Sequence, residues 1–199
     1  MLIAFEGIDG SGKSLMARKV HAALSKRGVD CVLTAEPTDG ALGNRIKSEI
    51  ASGTPALNNM TLQILFTADR SDHVEKVIMP ALERGAVVLT DRYFWSTVAY
   101  GHALGLDTKW LIGMNSVFPV PDLTLWFRLS PKTAYKRRKQ RMLKLDRLEY
   151  NPIQERVSEG YVMLASKYGK KGWCEIDAGR PVDSVFRDVM RSIDRILEK

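Results

Sequence analysis

Five short apolar runs punctuate this chain of 199 residues, and between them apolar side chains recur every three to four positions. The runs are Leu2–Glu6, Val29–Ala35, Ala86–Thr90, Leu123–Arg128 and Trp173–Ile176. Strand-length runs alternating with helical periodicity predict a mostly parallel sheet with helices on both faces, a three-layer α/β fold. Met16, Val20, Ala23 and Leu24 mark the inward face of a first helix that stops at Gly28, a natural residue just past a helix end. Further helices are predicted over Leu42–Ala51, Met60–Arg84, Thr108–Val117, Pro131–Lys144, Ile153–Lys167 and Val182–Leu197. Connections are short, no repeat or linker interrupts the pattern, and the length suits one domain over residues 1–199. Pro119-Val120-Pro121 reads as a stiff entry to a strand.

No stretch approaches the roughly 20 apolar residues of a membrane span, and Glu6 and Asp9 arrive too early for a signal peptide. A soluble, cytoplasmic protein without a membrane partner is expected. Cys31 and Cys174 sit in separate apolar segments and read as buried free thiols in a reducing compartment. His21, His73 and His102 lack metal-site spacing. The net charge of +7 is local: between Lys132 and Arg147 lie eight basic residues against one acid, Asp146, and the rest of the chain is neutral on balance.

The most specific chemistry follows the first run. Gly7-Ile8-Asp9-Gly10-Ser11-Gly12-Lys13-Ser14 fits G-x-x-x-x-G-K-[ST] between a strand and a helix. Small residues Gly10, Ser11 and Gly12 let backbone N–H groups turn inward on phosphate, Lys13 reaches the outer phosphates, and the Ser14 hydroxyl can serve a magnesium site. Because ligands gather beyond the carboxyl ends of such strands, Glu6 to Asp9, Glu36-Pro37, Asp91-Arg92 and Leu129-Ser130 should share one crevice. Asp91 ends a buried run in the manner of a metal-holding carboxylate, though a strand-terminal Asp can also cap the next helix. Phe66 and Arg70, four apart, share a helix face on which they could stack on a base and donate to it; alternatively Phe66 is core and Arg70 a surface partner of Asp69 or Glu75. The basic block can be a solvated helix face, a nucleic-acid patch or a lid over phosphates, and its single aromatic, Tyr135, argues against stacking on single strands. Neither an H-R-D catalytic loop nor a second Gly-rich loop occurs, which excludes protein-kinase chemistry. A phosphate acceptor would need no general base, since a monoester is largely ionised at neutral pH.

In order along the chain, Phe5 to Ser14, Glu36-Pro37, Leu65-Phe66-Thr67-Ala68-Asp69-Arg70, Asp91-Arg92-Tyr93 with Ser96, Ala99-Tyr100, Pro121 to Leu125, Leu145 to Glu149, and Arg156-Val157 with Tyr161 resemble the thymidylate kinases. The resemblance implies a P-loop fold with a five-stranded parallel sheet and a short basic lid near 132–150, transferring the γ-phosphoryl group of ATP to dTMP with Mg2+, as a homodimer and without nucleic acid. It assigns Gly7, Asp9, Gly10, Ser11, Gly12, Lys13, Ser14 and Arg138 to ATP, and Ser14 and Asp91 to the metal. It assigns Asp9, Glu36, Pro37, Arg45, Lys47, Phe66, Arg70, Arg92, Ser96, Thr97 and Tyr100 to dTMP. Phe66 would stack on thymine, Arg70 would donate to its edge, and Tyr100 would stand where a ribose 2′-hydroxyl would lie. Lys13, Asp91 and Arg92, with lid residues Arg141 and Arg147, would carry the transfer. This chain departs from the family pattern at Gly10, where some members have arginine, and at Thr38-Asp39-Gly40. It also departs at Lys47, where an arginine is expected with Arg45 nearby, and at Thr97 and Gly101, where an amide side chain often stands beside the base. Competing readings are a kinase for dUMP or UMP, a nucleic-acid-binding P-loop NTPase, and a catalytically silent switch.

Overall fold

The central strand of the sheet, β1 (Leu2–Glu6), is buried along its whole length and lies between β3 (Val87–Asp91) and β4 (Leu123–Arg128). With β2 (Cys31–Ala35) and β5 (Trp173–Asp177) at the edges, the order is β2-β3-β1-β4-β5 and every described pairing is parallel. The computed structural model describes residues 1–52, 55–140, 148–149, 151–169 and 172–198. Phe5 pairs in register with Asp91 on one side and Leu125 on the other, so the ends of β1, β3 and β4 finish side by side where the winding direction reverses. The five-stranded α/β sandwich expected from the alternating pattern is therefore what forms, with strand bounds shifted by one or two residues.

Nine α-helices flank the sheet among the described residues: α1 (Lys13–Lys26), α2 (Ala41–Ala51), α3 (Asn59–His73), α4 (Met79–Glu83), α5 (Phe94–Ala103), α6 (Thr108–Asn115), α7 (Pro131–Gln140), α8 (Asn151–Tyr168) and α9 (Val182–Leu197). On α1 the buried residues include Met16, Ala17, Val20 and Leu24, and Gly28 takes a φ of 74° just past its end, as the spacing requires. The single long helix expected over Met60–Arg84 is broken in character by a π-helical turn, Val74–Ile78, between α3 and α4. Pro80 lies just beyond and lacks the N–H that would continue a regular ladder. Cys31 and Cys174 are free, as expected, but half-buried: each is on an edge strand, beside Ser25 and Ser192.

Helix α5 is the inner pillar, and sequence periodicity hides it because every residue from Phe94 to Ala103 except His102 is buried. Buried nearly all round, it has no solvated polar face to give it a helical signature. It packs closely against α8, where a Cβ on Gly160 would stand 3.1 Å from the Ala99 carbonyl oxygen, so a larger residue would push the two helices slightly apart. Its start is held from across the sheet. Fully buried Glu6, at the end of β1, accepts from Tyr93 N at 3.0 Å, Ser96 N at 3.2 Å, Ser96 Oγ at 2.6 Å and Tyr161 Oη at 2.7 Å. Asp91 does not cap this helix; Glu6 does. Burial raises the Glu6 carboxyl above its usual range, and the hydrogen bonds from Ser96 and Tyr161 oppose that rise. One carboxylate thus fixes β1, α5 and α8 relative to one another.

Tyr161→Phe should lower stability by about 1–2 kcal/mol, because a buried carboxylate loses one charge-assisted donor while keeping three. Urea denaturation checks this, and a variant as stable as the parent would remove Glu6 from its role as the clamp.

Candidate active site

The turn from β1 into α1 forms a cradle of backbone amides. Gly10 and Gly12 hold φ angles of 88° and 94°, which side-chain-bearing residues rarely adopt. A Cβ on Gly10 would lie 2.6 Å from the Ala134 carbonyl oxygen, so α7 rests directly on the cradle and leaves no room for a larger residue. Helix α1 starts at Lys13 and points its free N–H groups and positive dipole end into the concavity. Lys13 is only 5% exposed. Burial lowers its pKa, the Arg92 charge lowers it further, and Asp9, Asp91 and Glu6 oppose both. A cation so poorly solvated is primed for phosphate oxygens.

Ser14 and Asp91 line one groove on the side of the cradle facing β2. Among the described residues, Asp91 Oδ1 is buried without a hydrogen-bond partner. An orphaned carboxylate oxygen and a hydroxyl are donors suited to a hard divalent cation.

Asp9 gathers the centre of the site. Its Oδ1 accepts from Arg92 Nη2 at 2.5 Å and lies 3.5 Å from Lys13 Nζ. Its Oδ2 accepts from Tyr100 Oη at 2.5 Å and from Gln154 Nε2 at 3.0 Å. Burial works against the Asp9 charge, but Arg92 and Lys13 outweigh it and hold the carboxyl well below its usual range. Tyr100, pushed up by burial with Asp9 adding to the rise, stays a neutral donor. Arg92 also donates to Ser96 Oγ at 3.1 Å and lies over the Tyr100 ring, 5.0 Å from its centroid. Its backbone φ of 73° is the one positive value on a non-glycine residue among those described.

Beyond Asp9 opens a half-enclosed cleft. Asp9, Glu36, Pro37, Phe66, Arg70, Arg92, Ser96, Thr97 and Tyr100 all line it, so nine residues singled out in the sequence meet at one place. Arg70 is no surface residue: it is 1% exposed and paired with Glu36 through Nε at 2.9 Å and Nη2 at 2.5 Å. It also donates to Asn115 Oδ1 and Thr97 Oγ1, and its guanidinium stands over the Tyr93 ring. His73 Nδ1 meets the other Glu36 oxygen at 2.9 Å, and Asp69 accepts from both Thr38 N and Thr38 Oγ1. Helix α3 therefore pins the loop after β2 and makes one wall of the cleft. Arg45 and Lys47 do not line this cleft. Arg45, half exposed, reaches Glu49 on its own helix, and Lys47 pairs with exposed Asp39 at 2.5 Å.

The basic block divides. Arg138 is buried at 3% exposure, with Nη1 donating to the Asp9 carbonyl at 2.5 Å and Nη2 to the Glu149 carbonyl at 3.1 Å, so the reading of the block as a solvated face fails there. Arg137 borders a second groove with Gln140 and Arg180, on the outer side of Gly10–Gly12. Arg141 and Arg147 lie outside the described residues.

Gln63, Ile50, Tyr93 and Leu148 also line the cleft, and Gln154 and Asn115 brace it, yet the sequence reading gave none of them a role in the site. Only Gln63 carried a signal: it precedes Phe66 by three positions and Arg70 by seven, on the same helix face.

A family model described as thymidylate kinase matches residues 5–189. A probable thymidylate kinase of Thermococcus onnurineus is 36% identical over 206 residues, covering all of both chains. A thymidylate kinase of Desulfotalea psychrophila is 34% identical over 198 residues, covering 99% of this chain and 96% of its own, and one of Nitratidesulfovibrio vulgaris is 37% identical over 211 residues, covering 99% and 97%.

The Asp9 network gives a pH prediction. A carboxyl held below its ordinary value of 3.8 contributes stability that is complete above that value and is lost as pH falls through the folded one. Asp9→Asn should therefore be less stable by about 1–3 kcal/mol at pH 7, with the gap narrowing below about pH 4. Thermal melts from pH 3 to pH 8 test it; a gap that does not change with pH would contradict the ionised cluster.

Proposed function

The chain belongs to the thymidylate kinase family, and we propose that the cradle and the cleft divide its reaction, ATP lying on the first and dTMP in the second. The reaction transfers the γ-phosphoryl group of ATP to dTMP, giving dTDP and ADP. The observation that carries this division is the convergence of Lys13, from the cradle, and Arg92, from the cleft, on the same oxygen of Asp9. Two phosphate-binding cations held by one carboxylate put donor and acceptor phosphates at a common point. The acceptor monoester, with a second pKa of about 6, supplies an ionised oxygen and needs no general base. What the protein adds is alignment and charge neutralisation.

In this reading the amides of Gly7 to Gly12 and Lys13 hold the ATP phosphates, and Arg138 braces the cradle through the Asp9 carbonyl. The groove beside Arg137 and Arg180 takes the donor nucleoside. Arg92 holds the acceptor phosphate, and Arg45 and Lys47, which do not line the cleft, take no part in this reading. Phe66 stacks on thymine. Arg70 has four of its five N–H groups occupied, which leaves one on Nη1 for the base. Tyr100, fixed by Asp9 and Gln154, crowds the position of a 2′-hydroxyl and favours deoxyribose. Arg141 and Arg147, outside the described residues, would add positive charge for the transferring group.

Ser14 and Asp91 would hold Mg2+, which neutralises phosphate charge when bound; the unpartnered Asp91 Oδ1 fits that duty. The protein acts in the cytoplasm as a homodimer. Among the described residues no helix is long and apolar enough to cross a membrane, and Met60 and Ile64, four apart on α3, leave an exposed apolar strip for a second copy.

A coupled assay over a panel of monophosphates tests the substrate. The expected kcat/KM for dTMP exceeds that for UMP and CMP by at least about tenfold; turnover of UMP as good as that of dTMP would remove the roles given to Phe66, Arg70 and Tyr100. Lys13→Ala should lower kcat by about 100-fold or more through lost phosphate charge, and an unaltered kcat would disconnect the cradle from catalysis.

A further inference from the structure

Gln63 is fully buried in α3, lines the cleft beside Phe66 and Arg70, and among the described residues neither its Oε1 nor its Nε2 has a hydrogen-bond partner. Buried amides are ordinarily satisfied, and one left bare destabilises the fold that contains it. Most other polar side chains of the cleft wall are engaged, Glu36 by Arg70 and His73, Thr97 by Arg70, Ser96 by Glu6 and Tyr161, while the Tyr93 hydroxyl is likewise without a partner among the described residues. Gln63 differs from that hydroxyl in keeping a donor and an acceptor on two adjacent atoms, on the α3 face that also carries the stacking ring.

We infer that Gln63 reads the Watson–Crick edge of the acceptor base, its Oε1 accepting from the pyrimidine N3–H and its Nε2 donating to one flanking carbonyl. This inference rests on the placement of dTMP in the cleft. A primary amide presents an acceptor beside a donor, and the edge of a 4-oxo pyrimidine presents N3–H beside a carbonyl oxygen, so the two match in pairs. Arg70 can only donate. It can serve the second carbonyl but not N3–H, and an acceptor for that hydrogen has to come from elsewhere on the wall. Spacings of three and four residues put Gln63, Phe66 and Arg70 on one helix face, so a base lying on the Phe66 ring turns its edge along the line of the other two. The amide missing at Thr97 and Gly101 is thus supplied from α3.

The test compares wild-type enzyme with Gln63→Met, which keeps length and volume but removes both polar atoms, on dTMP and on N3-methyl-dTMP. The wild type should prefer dTMP by at least about tenfold, because the methyl removes the donated hydrogen. Gln63→Met should lower kcat/KM for dTMP by about 10- to 100-fold through KM, leave KM for ATP within about twofold, and bring the two substrates close to parity. Its melting temperature should equal or exceed that of the wild type, since a bare buried amide has gone. A purely structural role predicts the reverse, a lower melting temperature with both KM values raised, and that outcome would overturn the inference. So would a variant unchanged on dTMP, or a wild type that accepts N3-methyl-dTMP equally well. A wild type inactive on dTMP would instead overturn the placement of substrate from which the inference starts.

Discussion

A single carboxylate organises this molecule. Asp9 sits in the turn after the central strand, and groups from four other parts of the chain reach it: Lys13 from α1, Arg92 from the end of β3, Tyr100 from α5 and Gln154 from α8. Even its backbone is held, the carbonyl by Arg138 from α7 and the N–H by Gln154 Oε1. A partly buried negative charge is tolerable only when opposite charges and donors surround it, and those same groups would repel one another if it were absent. The consequence is mutual. Lys13 and Arg92 can stand close together in a poorly solvated place, ready for phosphate, because Asp9 lies between them.

The geometry has a local cost that the surroundings offset. Arg92 occupies the left-handed region of backbone space, which disfavours a side-chain-bearing residue by about 1–2 kcal/mol. It is kept there by Arg92 N donating to the Phe5 carbonyl at 3.0 Å and by Thr90 Oγ1 donating to the Arg92 carbonyl at 2.6 Å. That conformation turns the guanidinium back over the strand ends toward Asp9. On the other side of the cleft, the buried pair Glu36–Arg70 does comparable work. Such a pair gains little stability over an apolar contact, but it fixes where the guanidinium lies. The cleft is therefore shaped before any ligand arrives.

How much of this could be read from the chain depended on whether a signal was local. The phosphate cradle was legible because glycine, lysine and serine at fixed spacing have one backbone solution between a strand and a helix. The five strands were legible because buried parallel strands are continuous apolar runs, and Glu36, Asp91 and Arg92 were legible as residues at strand ends. What escaped depends on pairings made across the fold. Arg70 finds Glu36 at 34 residues' separation and Asp9 finds Gln154 at 145, and nothing near either residue announces its partner. Helix α5 was expected only as the element following Asp91, without bounds, because burial on all sides erases periodicity. Arg138 was singled out only through the family resemblance, because a lone inward residue looks like its outward neighbours in a charged run, and the approach of Ala134 to Gly10 is what turns it inward. Gln63 escaped because glutamine on a helix face is ordinarily solvated.

The central claim is that cradle and cleft meet at Asp9 closely enough for one ligand to occupy both. Calorimetry with adenosine and thymidine joined 5′ to 5′ through five phosphates tests this most directly. If the two sites converge on Lys13 and Arg92, the joined molecule should bind at least about 100-fold more tightly than either ATP or dTMP, because its second half binds from within the complex. An affinity no better than that of the stronger single nucleotide would mean that the sites do not face each other, and the account built on Asp9 would not stand.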